Sequence, residues 1–174
     1  MMTEDARRRR RDVASANGTA TRVLVIDDDP PTVALYRDVL EDDGYRVVTA
    51  ASPELTAAAV AALAPALVLL DLRFAGHAAR GVDLIARLKA DPATRTLPLL
   101  VCSADTPLLA ELSDQLTAWD CATLAKPFNV DDLLAAVQDC LGTIPASVQS
   151  DVAAVAATRH PWQPRPGSQN LSDG

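Results

Sequence analysis

Aromatic residues are scarce, at 3% of the 174-residue chain. A surface that stacks successive bases needs a row of rings, so a single-strand nucleic-acid platform is disfavoured. Lysine is scarcer still: Lys89 and Lys126 stand beside 14 arginines, which draws attention to each. The three cysteines, Cys102, Cys121 and Cys140, are widely separated and odd in number. They have no paired zinc spacing and build no disulfide framework, so they read as small buried hydrophobes in a reducing cytoplasm. No run of 18 apolar residues occurs, which leaves no candidate for a membrane-spanning helix. The opening MMTEDARRRRRD is not followed by the apolar stretch of a secretory leader.

What the chain does hold is enough apolar material for a core. Hydrophobic residues make up 49% and charged residues 22%, which fits one globular domain with additional tails. Charge is distributed unevenly. Residues 1–20 carry five arginines against three acids, residues 21–142 carry nine basic against 18 acidic residues, and residues 143–174 balance at two each. The organisation expected is an Arg-rich flexible arm over 1–20, a folded domain over 21–142, and a proline-containing tail over 143–174. A short helix over 148–158 fits the spacing of Val148, Val152 and Val155. The arginines at 7–11 are flanked by Glu4, Asp5 and Asp12 and read as a solvated arm. Trp162 is a docking candidate in a segment whose composition favours disorder. His77 and His160 lack companions at ligand spacing.

Within 21–142, short apolar runs alternate with helical periodicity. RVLVI (22–26), ALVLL (66–70) and LPLLVC (97–102) are apolar at nearly every position, as strands covered on both faces are. YRVVTA (45–50) and ATLA (122–125) are fainter strands. Between them, Val33, Tyr36 and Leu40, then Val82, Ile85 and Leu88, then Leu109, Leu112 and Leu116, then Val130, Leu133, Leu134, Val137 and Leu141 recur at three and four residues. The Ala-rich stretch 53–63 fits a further helix that stops before Pro65. This alternation predicts an α/β fold, a doubly wound five-stranded parallel sheet with helices on both faces.

In such a sheet, ligands bind outside the carboxyl ends of the strands. Asp27 and Asp28, Asp71, Ser103 and Lys126 each fall at a different strand's carboxyl end. Carboxylates packed together at ~4 Å repel by about 4 kcal/mol at an effective dielectric near 20. A positive partner is therefore needed, and oxygen ligands of this kind suit Mg²⁺, with Lys126 as a second fixed charge. Metal, ammonium and the Ser103 hydroxyl then make a pocket for a phosphoryl group, with Asp71 as nucleophile or nearest ligand. Duller roles compete at each position. Asp29, before Pro30, reads as a helix N-cap rather than a ligand. Asp27, Asp28 and Asp71 have turn or cap chemistry as the alternative, Ser103 a local backbone bond, and Lys126 a solvated charge.

VLVIDDDP, LVLLDL, VCSA and AKPF, in that order, resemble the receiver domain of bacterial two-component response regulators, over roughly residues 21–142. The resemblance implies a flavodoxin-like sheet of strand order 2-1-3-4-5 and a typically cis Lys126–Pro127 bond. It also implies that Asp71 accepts a phosphoryl group from a phosphohistidine, that Asp27 and Asp28 help hold Mg²⁺, and that Ser103 and Lys126 contact the phosphoryl oxygens. Implied partners are a sensor histidine kinase or histidine phosphotransfer protein and a downstream protein target, with dimerisation on phosphorylation as one output.

Departures from the family pattern bear on the switch. Ala75 and Gly76 occupy a stretch where members commonly carry proline, and GHAARG before Val82 reads as a lengthened loop. Thr123 stands where an aromatic commonly rotates inward, so a Ser103-to-Thr123 coupling has a smaller residue to move. Arg73 and Asp105, each two residues beyond a site residue, flank the phosphoryl position and are candidates for an ion pair that restricts water.

The segment after Gly142 reads as too short for a DNA-binding or enzymatic effector, so a stand-alone receiver with no separate enzyme activity is expected. An aspartate-nucleophile phosphatase normally needs a second Asp where this chain has Arg73. A flavin or dinucleotide binder needs glycines and backbone donors where the first turn carries three acids. The stronger competitor is a receiver-like interaction module that works without phosphorylation.

Overall fold

The computed structural model describes residues 20–74 and 79–142. Five parallel strands form one sheet: β1 (Arg22–Ile26), β2 (Arg46–Ala50), β3 (Leu67–Asp71), β4 (Leu99–Ser103) and β5 (Cys121–Ala125). Among the described residues six helices accompany them: α1 (Pro30–Asp42), α2 (Ala57–Leu63), α3 (Ala79–Ala90), α4 (Thr106–Glu111), α5 (Ser113–Ala118) and α6 (Val130–Gly142). Strand order is β2-β1-β3-β4-β5, as the family resemblance implies, and the Lys126–Pro127 peptide is cis.

The apolar runs are strands because both of their faces are covered. Side chains alternate across a strand, and the core divides accordingly. Leu24, Ile26, Val68, Leu70, Leu99 and Val101 join Val60 of α2, Leu84, Ile85 and Leu88 of α3, and Leu116 of α5. On the opposite face, Val23, Val25, Leu67, Leu69, Leu100 and Cys102 join Tyr36 and Leu40 of α1 and Leu133 and Val137 of α6. The edge strands, covered less completely, have the fainter apolar pattern. Thr123 is exposed within β5.

Three expected boundaries differ. The Ala-rich helix begins at Ala57 rather than 53, because Thr56 caps it by accepting from the Ala59 amide at 3.1 Å. The Leu109–Leu116 stripe is two helices, broken at Leu112, whose ψ of 0° lies off the helical value. Finally, Ala79, Arg80 and Gly81, read as the end of a loop, are the first turn of α3. Gly81 enters a helix at a contact only glycine allows: a Cβ there would lie 2.5 Å from the Leu72 carbonyl oxygen. The expected N-terminal arm, the stretch containing Ala75, Gly76 and His77, and the tail with its 148–158 helix, His160 and Trp162 lie outside the described residues. Among the described residues no helix is long and apolar enough to cross a membrane.

Candidate functional site

Strand register builds the site. Ile26 is level with Leu70, so Asp27, one step past β1, meets Asp71, the last residue of β3. This is the crevice where the chain leaves β1 toward β2 on one side and β3 on the other, the point at which α/β sheets bind ligands. Asp71 is level with Cys102, and Ser103 with Ala125. The Lys126 amide continues the ladder by donating to the Ser103 carbonyl at 2.8 Å, which delivers the Lys126 side chain to the same end of the sheet.

There the side chains converge. Lys126 Nζ donates to Asp27 Oδ2 at 3.2 Å and lies 3.6 Å from Asp71 Oδ1. Asp27 is 1% exposed, and its Oδ1 accepts the Asp29 amide at 2.9 Å. One carboxylate oxygen from each of Asp27, Asp28 and Asp71 lies within 4.8 Å of the others. Three carboxylates against one ammonium leave a net negative cup of hard oxygen donors, a donor set that suits Mg²⁺. Burial pushes the Asp71 carboxyl above the usual carboxylate range; Lys126 opposes that shift and Asp27 adds to it.

The floor of the cup was not legible as such. Tyr36 belongs to the apolar stripe of α1, and nothing in its spacing marks it out. Its ring centroid lies 5.7 Å from Lys126 Nζ, a cation–π distance, and it stacks on Phe128 at 5.9 Å. The Tyr36 hydroxyl is buried beside the Cys102 thiol, and burial raises its pKa. Burial likewise pushes the neighbouring Cys102 thiol up to about 12, leaving it protonated and inert.

Other expected positions fall around this cup. Asp29 caps α1, accepting from the Thr32 amide at 3.0 Å, and hydrogen bonding to Thr32 holds its carboxyl below the ordinary range. Ser103 is fully buried at the end of β4, and its hydroxyl accepts from the Asp105 amide at 3.1 Å. Arg73 and Asp105 do pair, at 3.1 Å. Thr123 is level with Val101, short of the strand end, and is not brought into the cup.

The response regulator receiver domain family matches residues 23–138. The DNA-binding dual master transcriptional regulator RpaA of Synechocystis is 33% identical over 123 residues, 69% of this chain and 48% of that protein. The chain thus spans about half the length of that curated relative. The N-terminal domain of a response regulator receiver protein from Methanoculleus marisnigri is similar in structure at TM-score 0.54 and 33% identity, covering 72% of this chain and all of that one (100%). The Vibrio cholerae chemotaxis protein CheY4 shares the fold at TM-score 0.62 and 23% identity, with 71% of this chain and 100% of that one covered.

Proposed function

The chain belongs to the response regulator receiver family, and from that premise we propose that it is a phosphoryl-accepting switch with Asp71 as acceptor. The observation that carries this reading is the half-buried Asp71 carboxylate held beside Lys126 at 3.6 Å, at the mouth of an oxygen-lined cup. A sensor histidine kinase or histidine phosphotransfer protein is the donor. An Asp71 oxygen attacks phosphorus in line, the P–N bond of the phosphohistidine breaks, and the imidazole leaves with the electron pair and takes up a proton. Lys126 opposes the rise that burial gives the Asp71 carboxyl and orients Asp71 and Asp27, and then faces the dianionic product. Ser103 turns its hydroxyl from the Asp105 amide to a phosphoryl oxygen. Asp27, Asp28 and Asp71 would hold Mg²⁺, which when bound neutralises charge on the transferring group.

The output is a change in protein binding, by a downstream target or by a second copy. Native mass spectrometry with and without phosphorylation separates the two. A phosphorylation-independent interaction module is the second reading, favoured by Thr123, small and exposed where the switch aromatic commonly stands. Incubation with Mg²⁺ and acetyl phosphate, followed by intact-mass measurement, decides between them. One added phosphoryl group on wild type and none on Asp71→Asn supports the acceptor role. No gain with this donor or with a phosphorylated histidine kinase leaves the interaction module.

A further inference from the structure

Tyr36 and Phe128 are two of the chain's six aromatic residues, and they stack on each other, with centroids 5.9 Å apart and planes at 25°. The pair sits at the one lysine of the site. Lys126 Nζ stands over the Tyr36 ring, 5.7 Å from its centroid. Tyr36 is fully buried in the core beneath α1, among side chains that include Val25, Leu69, Cys102 and Leu133. Its ring is thus a fixed surface. Lys126 and Phe128 both belong to the short connection between β5 and α6, so one ring of α1 holds that connection at two points.

A lysine ammonium ends a flexible four-carbon stem and is a point charge without a preferred direction. Lys126 has two carboxylates to choose between, Asp27 Oδ2 at 3.2 Å and Asp71 Oδ1 at 3.6 Å. The negative face of an aromatic ring adds a third attraction, from a group that cannot move. A leucine would continue the apolar stripe of α1 equally well and would supply no such face. We infer that Tyr36 is a positioning residue, whose ring, steadied by Phe128, sets the Lys126 ammonium between Asp27 and Asp71, where it meets the phosphoryl group. The inference rests on Asp71 being the acceptor. Tyr36 acts only through Lys126, so the ring matters and the hydroxyl does not.

Lys89 and Lys126 are the only lysines, so isotope-labelled lysine gives two ε-methylene signals in the full chain, and Lys126→Met assigns them. The Lys126 ε protons should lie upfield of free lysine, because protons over a ring face are shielded. That shift should persist in Tyr36→Phe and disappear in Tyr36→Leu. Phosphorylation by Mg²⁺ and acetyl phosphate, followed by intact mass, should be about three- to tenfold slower in Tyr36→Leu, the weight of a cation–π contact. In Tyr36→Phe it should stay within about twofold of wild type. In a Lys126→Met background, Tyr36→Leu should change the rate by less than about twofold, whereas a loosened core would slow both backgrounds alike. Tyr36→Met, whose thioether adapts to irregular space, takes the place of Tyr36→Leu should the latter not fold. A wild-type Lys126 signal at the free-lysine position, equal slowing in Tyr36→Phe and Tyr36→Leu, or slowing that persists without Lys126 overturns the positioning role while leaving the acceptor role standing. Failure of wild type to gain any phosphoryl group overturns both.

Discussion

Lys126 Nζ and Asp27 Oδ2 meet at 3.2 Å although 99 positions separate them in the chain. Asp27 is 1% exposed and the Lys126 side chain 19%, so each is the other's main protection against the cost of an isolated buried charge.

Replacing Lys126 with Met should therefore do more than remove one phosphoryl contact. It leaves Asp27 and Asp71 facing each other without a cation, and a loss of about 2–4 kcal/mol in urea unfolding is expected. Mg²⁺ should recover part of that loss in Lys126→Met, because a divalent ion supplies the missing charge. Recovery by Na⁺ at equal ionic strength would show general screening instead.

The raised Asp71 pKa carries a sign. A carboxyl that holds its proton more tightly when folded stabilises the protein below its unfolded value of 3.8, and that contribution is lost as pH rises through the folded value. At pH 7 the ionised carboxylate is thus a burden on the fold. Asp71→Asn should raise Tm at pH 7 without divalent ions, by roughly 3 °C for each 1 kcal/mol of relieved charge-burial cost. The gain should vanish when both proteins are compared near pH 3. Calorimetry across that range checks it, and a lower Tm for Asp71→Asn at pH 7 contradicts it.

The three consecutive acids after β1 divide into different tasks. Asp29→Ala removes the α1 cap and should cost about 1 kcal/mol of stability while leaving Mg²⁺ affinity within about twofold. Asp28→Asn should do the reverse, weakening Mg²⁺ roughly tenfold through the loss of a ligand charge. Isothermal titration and thermal melts on the two variants separate these effects.

Gly81→Ala tests how the acceptor strand is held. A methyl group 2.5 Å from the Leu72 carbonyl oxygen and 2.6 Å from its Cα must displace backbone adjoining Asp71. We expect a loss of about 1–3 kcal/mol, the usual cost of overpacking. Phosphorylation by acetyl phosphate should fall in the fraction that stays folded. An unchanged rate in that fraction would mean that the β3 end absorbs the shift without moving Asp71.

How much of this was readable in the chain depends on how local each cause was. RVLVI is β1 residue for residue, because after Arg22 every position is buried and a strand buried on both faces is apolar there. The strand-end acids and Lys126 were legible for the related reason that a charge directly after a buried run has only the sheet's end to occupy. Tyr36 was not, since its place beneath Lys126 depends on the loop after β5 bringing Lys126 and Phe128 over its ring, and helical periodicity reports only that the ring faces inward. The helical start of α3 was hidden by Gly81, whose low helix propensity reads as loop until the Leu72 backbone is seen pressed against it. The break at Leu112 left no mark on the hydrophobic stripe, which runs unaltered across it.

Asp27, Asp71 and Lys126 stand at the ends of three different strands, so the cup exists only while β1, β3 and β5 stay in one sheet. Any ligand seated there loses Lys126 as soon as the outermost strand peels away. Occupancy should therefore slow amide exchange along β5 far from the ligand itself, converting a frayable margin into part of the last unit to open.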